Sequence, residues 1–146
     1  MGFIFLWAFF DKLFGLGFAT EPEKSWLSGN SPTAGFLGNA VHGPFAEFYN
    51  SLAGNPVVDW LFMVGLLLIG LCVSLGIFMR LAGFMGAFLM LLMWTSLLPP
   101  ENNPILDEHL VYLLIFLGFT SEAAAKSWGL GSWWRSTKLV KKYPLL

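Results

Sequence analysis

VVDWLFMVGLLLIGLCVSLGIFM, residues 57–79, is apolar throughout except for Asp59 near its start. After Arg80 comes LAGFMGAFLMLLMWTSLL, residues 81–98, with no charge at all. Each run is close to the ~20 residues that a helix needs to cross a hydrocarbon core about 30 Å thick. A third, shorter run lies at 110–120. A fourth, at 1–18, carries Asp11 and Lys12 at its middle. Lipid offers no hydrogen bonds, so runs of this kind satisfy their backbone as helices.

The composition agrees with these runs. The 146 residues are 56% hydrophobic and 12% charged, with fifteen Phe and seven Trp. A soluble domain of this size could not hide that much apolar surface, whereas a bundle solvated by lipid can. Net charge is −1, which gives no field that would draw nucleic acid, and no basic aromatic patch offers a base-stacking groove. Cys72 is the one cysteine and lies inside an apolar run, so the chain has no intrachain disulfide and no CxxC redox motif. The 1–18 run lacks a basic flank and a small-residue cleavage site, so it reads as a retained helix rather than a signal peptide.

The expected fold is an all-α membrane protein, a four-transmembrane-helix bundle. Its helices are expected at about 2–19, 58–78, 81–98 and 106–121, in one membrane domain. Between the first two lies a Gly-, Ser- and Pro-rich connection with aromatics at helical spacing, among them Phe45, Phe48 and Tyr49. It reads as a surface-lying helical segment at 31–53, with Ser31-Pro32 as a start signal. Gly65, Gly70, Ser74 and Gly76 in the second helix, and Ala82/Gly86 and Gly83/Ala87 in the third, are small residues that permit close helix contact. Met79-Arg80 is expected to form a tight turn. Trp128, Trp133 and Trp134 suggest an interfacial belt before a basic tail at 135–146. Basic residues concentrate at Arg80 and in that tail. The positive-inside rule therefore puts both termini in the cytoplasm of a multi-pass plasma-membrane protein.

Asp11 and Lys12 point about 100° apart on a helix, so one partner cannot satisfy both. Two readings stay open. In one they form a proton or quinone site, with Asp11 accepting a proton and Lys12 donating to a carbonyl or anion. In the other each is a buried polar tie to a different neighbour. Lys12 could also snorkel towards the membrane surface. Near the outer mouth gather Asp59, Glu101, Asp107, Glu108 and His109, with Glu47 and His42. A histidine beside a carboxylate can exchange protons near neutral pH. Asp59 and Asp107 also sit at helix starts, where carboxylates cap backbone N–H groups. The catalytic candidates are Asp11, Lys12 and His109. The cofactor-binding candidates are Trp60, Asp59 and Tyr112. His42 and His109 lack the spacing of a metal or haem site, and none is expected.

Five blocks resemble the DoxX/DoxD family of small four-helix membrane proteins. They are FLWAFFDKLFGLGFAT (5–20), SPTAGFL (31–37), GPF (43–45), LAGNPVVDWLFMVGLLLIG (52–70) and PPENNPILDEHLVY (99–112), and they follow the family's order. The DoxD branch is the membrane subunit of a thiosulfate:quinone oxidoreductase and works with a small subunit on the outer face. The resemblance implies a redox-complex subunit that uses quinone, with lipid and other membrane subunits as partners. It carries no site residues over. The alternative is a non-catalytic accessory subunit of a larger respiratory or photosynthetic membrane complex. A transporter fits less well, because no repeat or broken-helix pair is present.

Overall fold

The computed structural model describes residues 1–101, 103–121, 129–138 and 140. Among these, every regular element is helical. The helices are α1 (Gly2–Phe14), α2 (Ala34–Asn39), α3 (Ala46–Asn50), α4 (Pro56–Leu75), α5 (Met79–Ser96), α6 (Glu108–Phe119) and α7 (Gly131–Ser136). Two single 3-10 turns, Pro22–Lys24 and Trp26–Ser28, follow α1. Lys126, Trp128, Lys141 and Lys142 lie outside the described residues, as does most of the expected tail.

Among the described residues two helices, α4 and α5, are long and apolar enough to cross a membrane, rather than four. Helix α1 has 13 residues and α6 has 12, which at 1.5 Å per residue gives roughly 20 and 18 Å. Helix α1 therefore ends well before the expected residue 19. Gly15 takes a left-handed conformation (φ 68°) that reverses the chain, and its N–H closes on the Asp11 carbonyl. Hydropathy carries through Gly15-Leu16-Gly17, but the backbone does not. Asp11 and Lys12 consequently stand in the last turn of α1 rather than at its middle.

The long helices also begin and end slightly earlier than expected. Asn55 caps α4 by accepting the Val57 N–H at 2.9 Å, and Pro56 occupies the first helical position. Gly76, at φ 74°, ends it. The tight turn therefore falls at Gly76–Phe78, and Arg80 belongs to the first turn of α5. Asp107 caps α6, its Oδ1 accepting the Leu110 N–H at 3.0 Å.

Helix α1 packs on α4, α4 touches α5, and α5 packs on α6. Phe5 of α1 meets Phe116 of α6 edge-to-face at 5.0 Å, which closes the ring of four helices. The core inside that ring is Phe5, Phe9, Met63, Leu66, Ile69, Val73, Ala82, Ala87, Met90 and Phe116. Two contacts depend on small residues. A Cβ on Gly70 would lie 2.8 Å from Leu6, and a Cβ on Gly86 would collide with the Phe116 ring. Most outward side chains of α1, α4, α5 and α6 are apolar and exposed, such as Phe3, Leu68, Phe84 and Leu114.

At one end of the bundle, the Leu130 N–H reaches the Leu75 carbonyl, and Trp134 packs on Phe78 at 4.4 Å. The other end is roofed by α2 and α3. Tyr49 bonds Thr95 at 2.7 Å, and His42 bonds the Pro99 carbonyl at 3.0 Å. The connection expected at 31–53 is thus two short helices. Tyr49 and Leu52 turn inward, while Phe45 and Phe48 stay exposed.

Candidate functional site

Helices α4 and α5 pack less closely than α1 on α4 or α5 on α6, and a cavity of about 440 Å³ lies between them. Val58, Leu61, Phe62, Gly65 and Ile69 line it from α4, and Met85, Phe88, Leu89, Leu92 and Met93 from α5. Phe36, Leu37, Tyr49 and Leu52 roof it, and Lys12 of α1 closes one wall. Leu61, Met85, Phe88 and Leu92 are exposed on the outer faces of their helices, so the cavity opens sideways through the bundle wall. Its size falls within the ~300–1,000 Å³ of small-molecule sites.

Gly65 faces that space. A Cβ there meets nothing within 4 Å, in contrast to Gly70 and Gly86. Gly65 is therefore not the helix-contact residue that the small-residue pattern suggested. The polar groups on the wall are bonded to protein. Thr33 Oγ1 donates to Asp59, Tyr49 Oη pairs with Thr95 Oγ1, and Ser96 Oγ donates to the Met93 carbonyl at 2.7 Å. Lys12 is the charged residue on the lining. Among the described residues no hydrogen bond or ion pair engages its ammonium.

The structure separates the expected site residues. Asp11 is 2% exposed and not on the cavity. Its two carboxylate oxygens accept the N–H groups of Phe18 (3.3 Å) and Ala19 (3.1 Å), which ties the reversal after α1 to the helix. That is the polar-tie reading, with both partners on the same segment. Asp59 is buried, and its Oδ1 accepts the hydroxyls of Ser31 (2.7 Å) and Thr33 (2.5 Å). Ser31 Oγ also accepts the Ala34 N–H at 3.0 Å. Asp59 thus fastens the roof to α4 instead of capping α4 itself, which Asn55 does.

His109 donates its Nδ1–H to Asp107 Oδ2 at 2.8 Å, the tautomer being assigned from this contact. Asp107, Glu108 and His109 place their ligand-type atoms within 4.8 Å of one another, and helix capping by Asp107 accounts for that geometry. None of the three lines the cavity. Trp60 packs edge-on against Trp26 at 4.6 Å and borders a shallow hollow with Pro56, Val57, Leu61 and Val64. Tyr112 packs against the core. Of the six candidates, only Lys12 reaches the cavity.

His42 has both ring nitrogens on carbonyls, Nδ1 on Ala40 at 3.1 Å and Nε2 on Pro99 at 3.0 Å. A neutral imidazole has one N–H and can donate to only one of them, while the cation donates to both. The Pro99 carbonyl first, then that of Ala40, therefore raises the His42 pKa above the usual imidazole value.

Sequence reasoning assigned Gly65 to helix contact rather than to a cavity, and missed the hydroxyl partners of Asp59. A glycine flanked by Val64 and Leu66 in an apolar helix was the available signal for the first. Ser31-Pro32-Thr33 was the signal for the second, since it places two hydroxyls two residues apart.

No family model, no curated protein and no solved structure matches this chain.

Proposed function

We propose that the chain is a membrane-embedded helical subunit that holds a lipid-soluble molecule between α4 and α5. The observation that carries this reading is the sideways-opening apolar cavity with Lys12 at its inner wall. A ligand dissolved in the bilayer reaches such a cavity without crossing water. The apolar outer faces of α1 and α6 suit lipid or neighbouring subunits, so the two shorter helices join the membrane-spanning pair in one bundle. This reading favours a multi-pass protein.

A quinone is the ligand class that the DoxX/DoxD-like blocks imply. Lys12 supports it, since an ammonium can donate to a quinone carbonyl. On this view the chain supplies binding and positioning within a redox complex. Thiosulfate chemistry belongs to a partner subunit.

The test is twofold. Membranes washed at alkaline pH should retain the protein, and organic extraction of purified protein should recover a lipid-soluble molecule. Gly65→Leu should project a side chain into the cavity and lose that molecule while staying in the membrane. Release by the alkaline wash, or equal ligand content in both proteins, would contradict the proposal.

A further inference from the structure

We infer that the cavity between α4 and α5 takes a single-chain amphiphile with an oxyanion head, a carboxylate or a phosphate monoester, and that Lys12 is its counter-ion. The inference rests on the lipophilic-ligand reading above and narrows it to a class.

The walls fix one half of the ligand. Phe62 and Ile69 on α4 face Met85 and Leu89 on α5, and none offers a hydrogen bond. An alkyl chain satisfies such a surface, and about 440 Å³ suits one chain better than the two chains of a bilayer phospholipid.

Lys12 fixes the other half. It is half-buried at the last turn of α1 and shares the cavity wall with Pro32 and Thr33 at the roof. Its nearest carboxylate in sequence, Asp11, points to another side of the helix and is occupied by the Phe18 and Ala19 N–H groups. The hydroxyls of Thr33, Tyr49 and Ser96 are likewise bonded within the protein. Among the described residues the wall therefore presents one side chain with unused donors, a cation with three donors and no acceptor. A half-buried ammonium that no carboxylate contacts directly is unfavourable, and the charge of the neighbouring Asp11 offsets its burial only in part. A neutral carbonyl fills one donor and leaves the charge standing. An oxyanion fills the donors and cancels the charge, and charge-assisted bonds of this kind are roughly twice as strong as neutral ones. The head then lies under α2 with the chain running along Gly65 towards Ile69.

The test uses the full chain in phosphatidylcholine nanodiscs, with protein-free discs as background. The probes are dodecanoate, dodecyl phosphate, dodecanol and a decyl-chain quinone. Either anion should bind at least about tenfold tighter than dodecanol. The tighter of the two anions tells a free fatty acid from a lipid phosphate. Lys12→Met should remove the preference for an anion, and Lys12→Arg should keep it. If dodecanol or the quinone binds as tightly as the anions and Lys12→Met changes nothing, the counter-ion inference fails and the cavity reading stands. If no probe binds wild type more than it binds Gly65→Leu, both fail.

Discussion

Gly86 and Gly65 sit in neighbouring helices, and both look like small residues placed for close packing. They do opposite things. At Gly86 the Phe116 ring lies where a side chain would be, so the missing Cβ lets α5 and α6 close on each other. At Gly65 nothing fills the position, so the missing side chain leaves α4 and α5 apart over a cavity. The same residue closes one interface and opens the other. What decides is whether the facing helix supplies a side chain to fill the gap.

Substitutions can break that contrast. The largest effect is expected at the closed interface. Gly86→Leu drives its side chain into Phe116 and should cost about 3 kcal/mol through overpacking, read as a fall in thermal stability in detergent. A variant as stable as wild type would mean that the interface has room.

Asp11→Ala comes next, at about 2 kcal/mol, because two backbone N–H groups lose a charged acceptor. Its effect should be confined to stability, with probe binding unchanged. Lost binding in a folded Asp11→Ala protein would return Asp11 to the site.

A smaller effect concerns the roof. His42 donates to both Ala40 and Pro99 only when protonated, so its pKa is raised in the folded chain. Its contribution to stability is complete below about pH 6.5, the ordinary imidazole value, and fades as pH rises through the raised folded value. Wild type should therefore lose more melting temperature than His42→Ala between about pH 5.5 and pH 8.5. Equal losses would show that His42 does not fasten the roof.

How far the sequence discloses this arrangement depends on the scale of the feature. The two long apolar runs, the helical connection between the first two helices and the capping of α6 by Asp107 follow from local pattern. The C-terminal end of α1 does not, because hydropathy is blind to the left-handed turn at Gly15. Lys12 could be singled out as a charge in an apolar helix. Its partition from Asp11 could not, since the carboxylate finds its partners seven and eight residues away, across the chain reversal. Asp59 is similar: its hydroxyl partners stand 28 and 26 residues away. The cavity was least visible, because a void is made by what two helices fail to supply to each other.

The central claim is that Gly65 keeps a ligand cavity open and is not a flaw in packing. Gly65→Leu tests it most directly, with thermal stability and dodecanoate binding measured on the same nanodisc preparation. The position has room, and leucine is the better helix former by up to about 1 kcal/mol. The account predicts unchanged or slightly raised stability together with loss of binding. Binding equal to wild type in a stable Gly65→Leu protein would contradict it.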